Sequence, residues 1–177
     1  NKKLKAFLEP QPADVFIIAV PTPFHKNNSK IPQPNINYVL DVARSIGTVI
    51  KEDNLVILES TSPIGTTEKV INEICSNSNL TKDKFKVAYC PERVLPGNVI
   101  YELTQNNRVI GGINTSSSEA AKSLYETFCH GELIFTDCRT AELVKLTENA
   151  YRDVNIAFAN ELSLLCHKRN INVNELI

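Results

Sequence analysis

The chain has 177 residues, with 19 Lys and Arg against 20 Asp and Glu, a net charge of −1. Its 42% hydrophobic and 22% charged residues are the values of a folded globular domain and exclude a disordered chain. So balanced a charge gives no basic surface for nucleic acid or an anionic membrane, and no apolar run approaches the roughly 18 residues of a membrane span.

The apolar run at 13–20 predicts a strand buried on both faces, closed by Pro21-Thr22-Pro23. A polar loop with prolines follows at 25–34. Apolar residues at 39, 40, 42, 43, 46, 49 and 50 predict a helix over 37–50. A second strand is expected at 54–59, then a turn at 60–65. A helix over 66–75 follows, with Thr66 or Thr67 as its N-cap. Residues 86–90 and 108–111 read as strands, Ser116, Ser117 and Ser118 as the cap of a helix reaching Phe128, and 132–136 as a fifth strand. Short apolar strands alternating with helices predict an α/β fold with a mainly parallel sheet.

From Arg139 to Arg169 there are 31 residues without Gly or Pro. Leu143, Leu146, Ala150, Val154, Ala157, Leu164 and Leu165 recur near the helical period, with Lys145, Asn149, Arg152, Ile156 and Ser163 opposite them. One helix of roughly 45 Å is expected. A boundary near Cys138 divides the chain into 1–138 and the start of a helical unit at 139–177, of a kind that commonly joins domains or subunits.

The basic start at 1–5 is not followed by the apolar stretch of a signal peptide. The absence of Met, and an end at Asn174-Glu175-Leu176-Ile177 inside an amphipathic stretch, suggest a piece of a longer protein. The five cysteines, Cys75, Cys90, Cys129, Cys138 and Cys166, include no C-x-x-C pair. They read as free thiols in a reducing cytoplasm, with neither a metal site nor a disulfide framework expected. Cys166 and His167 are adjacent, about 100° apart on a helix, a poor arrangement for a nucleophile and its base.

Ligands of open parallel sheets bind beyond the carboxyl ends of the strands. Three candidate loops stand there: Pro21-Thr22-Pro23, the turn at 60–65, and the loop at 91–97. Their hydroxyls between stiffening prolines suit a bound ribose or an ordered water, although Pro and Gly also mark ordinary turns. Lys145 and Asn149, four apart, share a helix face, with Arg152 continuing the stripe. An ammonium beside an amide can hold a developing oxyanion; the same residues also suit a solvated helix face. The six glycines form no G-x-G-x-x-G fingerprint, as in a dinucleotide domain lacking its first βαβ unit.

Longer motifs carry a resemblance. Val20-Pro21-Thr22-Pro23-Phe24, Leu58-Glu59-Ser60-Thr61-Ser62-Pro63-Ile64-Gly65, Tyr89-Cys90-Pro91-Glu92-Arg93-Val94-Leu95-Pro96-Gly97 and Arg108-Val109-Ile110-Gly111-Gly112 occur in order. Thr140-Ala141-Glu142-Leu143-Val144-Lys145-Leu146-Thr147-Glu148-Asn149-Ala150-Tyr151-Arg152 and the helix beyond follow. Together they resemble the UDP-glucose/GDP-mannose dehydrogenase family over nearly the whole chain, most closely its branch acting on UDP-N-acetyl-D-mannosamine. The resemblance implies a Rossmann-like NAD-binding domain and a central dimerisation domain. It also implies oxidation of a nucleotide-sugar C6 hydroxymethyl to a carboxylate by two successive NAD molecules, through a thiohemiacetal and a thioester on a cysteine.

By the same resemblance, Pro21 and Thr22 contact the cofactor and Thr61 borders the nicotinamide and helps order a water. Glu92 acts with that water in thioester hydrolysis. Arg93, Val94 and Leu95 contact the substrate, Lys145 and Asn149 stabilise the oxyanion, and Arg152 reaches the nucleotide sugar. The second glutamate expected in UDP-glucose members is missing after Glu92, which favours an N-acetylated hexosamine without settling the epimer. No cysteine here lies in the family's Gly-Gly-x-Cys context, so the glycine-rich loop and the nucleophile are expected outside this segment. Two alternatives stand beside this reading: a single-oxidation dehydrogenase of the 6-phosphogluconate or 3-hydroxyacid type, and an inert folding or dimerisation module.

Overall fold

A computed structural model describes residues 4–25, 31–94 and 97–176. Its elements are β1 (Val15–Ile18), α1 (Asn37–Gly47), β2 (Leu55–Leu58), α2 (Thr66–Ser76), β3 (Lys86–Tyr89), α3 (Val99–Gln105), β4 (Arg108–Gly112), α4 (Thr115–Tyr125), β5 (Leu133–Asp137), α5 (Cys138–Arg169) and α6 (Val173–Leu176). The strands form one sheet in sequence order. β1, β2 and β3 run parallel, with Val15 opposite Leu55 and Val56 opposite Val87. β4 pairs antiparallel to β3 and parallel to β5. The sheet is therefore mainly parallel, as the alternation of strands and helices predicts.

The period of two along a strand builds the core. In β2 every residue is buried, Val56 and Leu58 on one face, Leu55 and Ile57 on the other. The first pair joins Val39, Ala43 and Ile46 of α1 and Val70, Ile71 and Ile74 of α2. The second joins Ile110 and, from α4, Ala121 and Tyr125. Each large apolar side chain fully buried in this way contributes on the order of 1.5–3 kcal/mol.

Three local expectations are corrected, and one further helix is found. The first strand is not buried on both faces: Ile17 is 50% exposed. β1 is the sheet's edge, and α4, which covers that side of β2, β3 and β4, does not extend over it. Helix α2 is capped by neither threonine; Gly65 holds the N-cap position at φ 86° without a side-chain cap. Helix α4 is capped by Asn114, whose side chain accepts from the Ser117 N–H at 2.8 Å, while Ser117 is buried and its Oγ accepts from the Val87 N–H. Helix α3 was not anticipated, because none of its residues is buried and it carries no apolar period.

Helix α5 has 32 residues, about 48 Å. Asp137 caps it, accepting from the Thr140 N–H at 2.9 Å and the Thr140 hydroxyl at 2.6 Å, and Asn170 closes it in the left-handed conformation. Its first turns lie hard against β4. A Cβ on Gly111 would come within 2.6 Å of the Ala141 Cβ, so only glycine permits this approach. Val144 still packs on the core, and Lys145 and Glu148 still reach the loop at 92–93; further on Val154, Phe158, Leu164 and Leu165 are exposed, and Cys166 is buried again near α6. Among the described residues, no helix is long and apolar enough to cross a membrane.

Candidate active site

The parallel direction of β1, β2 and β3 brings their carboxyl-end loops to one edge of the sheet. There the Thr22 hydroxyl donates to the Thr61 carbonyl oxygen at 2.6 Å, tying the first loop to the second. Ser60 fastens the same two loops from below, its hydroxyl donating to the Val20 carbonyl at 2.7 Å, and the Ser62 hydroxyl donates to the Ser60 carbonyl. The hydroxyl of Thr61 has no hydrogen-bond partner among the described residues. Thr61 is half-buried at this edge of the sheet. Pro21 is exposed beside Thr22.

The third loop meets helix α5. The Lys145 ammonium donates to the Glu92 carbonyl oxygen at 2.6 Å, and the Glu92 carboxylate accepts from the Val94 N–H, folding the loop back on itself. Arg93 forms a two-pronged ion pair with Glu148, its Nε 3.0 Å from Oε2, and also donates to the Asn107 carbonyl. The Asn106 amide donates in turn to the Arg93 carbonyl at 3.2 Å.

Between this loop and the helix lies an open cleft of about 560 Å³ lined by residues that include Arg93, Val94, Lys145, Glu148, Tyr151 and Arg152. Its walls set three cations against one carboxylate, a surface suited to an anionic ligand. The helix contributes at successive turns, from Lys145 past Ile156 to Ala159.

Sequence reasoning thus placed Lys145, Glu92, Arg93, Val94 and Arg152 together, and Thr22 with Thr61. Asn149 is half-buried one turn from Lys145 but is not among the residues lining the cleft. Leu95 lies outside the described residues. All five cysteines are free thiols, four of them buried. Cys166 is buried while His167 is exposed, so the adjacent pair points apart.

Two groups were not singled out from sequence. Glu148 is the partner that fixes Arg93. The other is a buried cluster below the Ser60 loop. The Tyr125 hydroxyl donates to Glu59 Oε1 at 2.6 Å, and the Arg108 guanidinium stands 3.7 Å from the same carboxylate and 4.6 Å over the Tyr125 ring. Cys90 completes the cluster beside Arg108. Burial pushes the Tyr125 hydroxyl well above its ordinary value and raises the Cys90 thiol. The cluster braces the ends of β2 and β3. Its residues are scattered from 59 to 125, and no spacing signals it.

A mainly parallel sheet with helices packed on it and the carboxyl-end loops of β1, β2 and β3 gathered at one edge is a Rossmann-type α/β arrangement. Comparison with known proteins narrows the class. Residues 2–129 match the NAD binding domain of the UDP-glucose/GDP-mannose dehydrogenase family, and residues 139–177 match its central domain. The chain belongs to this family. It is 52% identical to the UDP-N-acetyl-D-mannosamine dehydrogenase of Campylobacter jejuni, over 98% of this chain and 44% of that protein. It is 51% identical to the NDP-N-acetyl-D-galactosaminuronic acid dehydrogenase of Ralstonia nicotianae, over 98% of this chain and 42% of the relative. Among solved structures, the UDP-D-ManNAc dehydrogenase of Pyrococcus horikoshii superposes with a TM-score of 0.87 at 42% identity, over 94% of this chain and 39% of that one. The native UDP-N-acetyl-mannosamine dehydrogenase Cap5O of Staphylococcus aureus gives 0.85 at 45% identity, over 98% and 42%. The chain thus spans less than half the length of these relatives.

Proposed function

We propose that this chain is part of an NAD-dependent nucleotide-sugar 6-dehydrogenase that oxidises the C6 hydroxymethyl of a UDP-N-acetylhexosamine, UDP-N-acetyl-D-mannosamine foremost, to the carboxylate, as a surface-polysaccharide precursor. The observation that carries the reading is the Lys145 ammonium, held on the Glu92 carbonyl at the mouth of a cleft with three cations and one carboxylate. Residues 1–138 serve as the C-terminal portion of the NAD-binding domain and 139–177 as the start of the central helical domain. Thr22 and Thr61, with Pro21 beside them, hold the ribose and nicotinamide end of NAD, which when bound accepts a hydride from the sugar carbon.

The chain's own residues supply position and charge. One bond fixes the Lys145 ammonium and leaves its other protons for the substrate oxygen, where they stabilise the alkoxide from which the hydride departs. Asn149 assists from the same helix. The Glu92 carbonyl holds this ammonium, and its carboxylate, turned back to the Val94 N–H, is the group proposed to take a proton from water in the hydrolytic step. Arg152 is seven residues beyond Lys145, about 10 Å along the helix. A sugar with its C6 at Lys145 thereby extends its diphosphate towards Arg152, while Arg93 and Val94 face the hexose.

The exposed apolar residues of α5, Val154, Phe158, Leu164 and Leu165 among them, support a homodimer through this helix. The free thiols support a cytoplasmic location.

The test is NAD reduction, followed at 340 nm, by the full-length protein with UDP-N-acetylmannosamine, other UDP-hexoses and Lys145→Met. Wild type should turn over UDP-N-acetylmannosamine best, and Lys145→Met should lower kcat about 100- to 1000-fold. No turnover of any UDP-hexose, or a lysine variant within tenfold of wild type, overturns the reading.

A further inference from the structure

Glu142 is fully buried, yet it is a charged residue on a helix whose later turns face solvent. Its carboxylate is well supplied with donors. Oε2 accepts from the Gly65 N–H at 2.5 Å, and Oε1 accepts from the Thr67 N–H at 2.8 Å and the Thr67 hydroxyl at 2.7 Å. Two of these donors are backbone N–H groups at the start of α2, the end that lacks a side-chain cap of its own. The missing cap is thus supplied from 75 residues away in the chain. The positive end of the α2 dipole favours the same charge.

The consequence is mechanical. Gly65 ends the loop that carries Thr61, four residues earlier. Lys145 follows Glu142 by three residues, one turn along the same helix. Cys138 and Ala141, packed on Gly111, fix the turn before it. Beyond Glu142 the next buried residue of α5 is Cys166. The Glu142 carboxylate is therefore the polar joint between the Thr61 loop and the helix that presents Lys145.

We propose that Glu142 is a positioning residue: it holds the Thr61 loop and Lys145 in one fixed relation, so that its loss lowers turnover rather than affinity. This rests on the dehydrogenase reading above. Glutamine is no substitute here, because its NH₂ would face a backbone N–H, donor against donor. Aspartate keeps the charge but falls short by one methylene.

The experiment uses the full-length protein and measures kcat, KM for NAD, KM for the UDP-sugar and thermal midpoint for wild type, Glu142→Gln, Glu142→Asp and Ile46→Val. Ile46→Val, in the buried face of α1, serves as a destabilised control away from the site. In Glu142→Gln, kcat should fall on the order of tenfold to a hundredfold, the scale of a misplaced reacting group. Both KM values should stay within about threefold, and Asp should restore part of the loss. Ile46→Val should keep the wild-type kcat. Should Glu142→Gln fail to fold, Thr67→Val removes one of the three bonds and should still lower kcat severalfold. An active wild type with unchanged kcat in the variant that folds overturns the role of Glu142 alone. So does a loss that Ile46→Val shares. A wild type inactive with NAD and every UDP-hexose overturns the dehydrogenase reading, and this inference with it.

Discussion

Replacing Tyr125 by Phe removes one hydroxyl from the buried cluster, which bonds Glu59 and also meets the Cys90 thiol. The ring is 1% exposed, so Phe fills the same space and the Arg108 guanidinium keeps its place 4.6 Å over the ring. What is lost is the hydroxyl that donates to Glu59 at 2.6 Å. A hydrogen bond to a charged group contributes about 1.5–3 kcal/mol. The Glu59 side chain is 20% exposed and retains Arg108 at 3.7 Å, so water and the guanidinium compensate in part. The expected loss is therefore at the lower end, about 1.5 kcal/mol, or roughly 3–6 °C in Tm for a chain of this size. The protein has no Trp, so urea unfolding is best followed by far-UV circular dichroism at pH 7. A cycle with Glu59→Gln should return a coupling of about 1 kcal/mol between the two residues. A Tyr125→Phe protein within about 0.5 kcal/mol of wild type, together with no coupling, would refute the claim that this bond braces the strand ends.

Burial holds the Cys90 thiol and the Tyr89 and Tyr125 hydroxyls above their ordinary values of 9.0 and 10.0, so these groups stay protonated when the unfolded chain has begun to lose the same protons. The unfolded state then binds fewer protons, and stability falls as pH rises above about 9, by up to about 1.4 kcal/mol per pH unit for each group. Urea midpoints at pH 7.5, 9 and 10.5 should decline in that order, and a flat series would contradict the assignment. For function, Arg152→Met in the full-length protein should raise KM for the UDP-sugar about tenfold at nearly constant kcat, because the contact is the same in ground and transition states. A fall in kcat at constant KM would instead place Arg152 at the reacting carbon.

The sheet and its helices were legible because their apolar residues repeat with the right period. All four residues of β2 are apolar and buried, and α1 shows its face at Val39, Ala43 and Ile46. What failed was local chemistry that depends on neighbours distant in sequence. Thr66 and Thr67 are good capping residues by type, yet Gly65 takes the N-cap position, and the Gly65 and Thr67 N–H groups at this end are met by Glu142 from a distant helix. The Ser116–Ser118 run offers three hydroxyls, but Asn114 accepts from Ser117 and leaves that serine free to bond Val87. Both faces of the apolar run at 15–18 looked buried, but only a sheet order can say that β1 is an edge.

The candidate site divides along the same line. That Lys145 and Arg152 share a helix face and that Glu92 stands in a strand-end loop follow from helix spacing and strand direction, whereas what those groups touch needed the structure. Glu142 could not be read from either. A glutamate between Ala141 and Leu143 in a long helix is, by residue type, a solvated charge, and its neighbours in sequence give no hint of burial. Its surroundings arise only when α5 docks on β4 at Gly111 and brings the helix across the uncapped end of α2. A buried carboxylate is tolerable there because the fold delivers three donors to it. The residue that most needs the tertiary structure to be recognised is thus the one joining the two halves of the site.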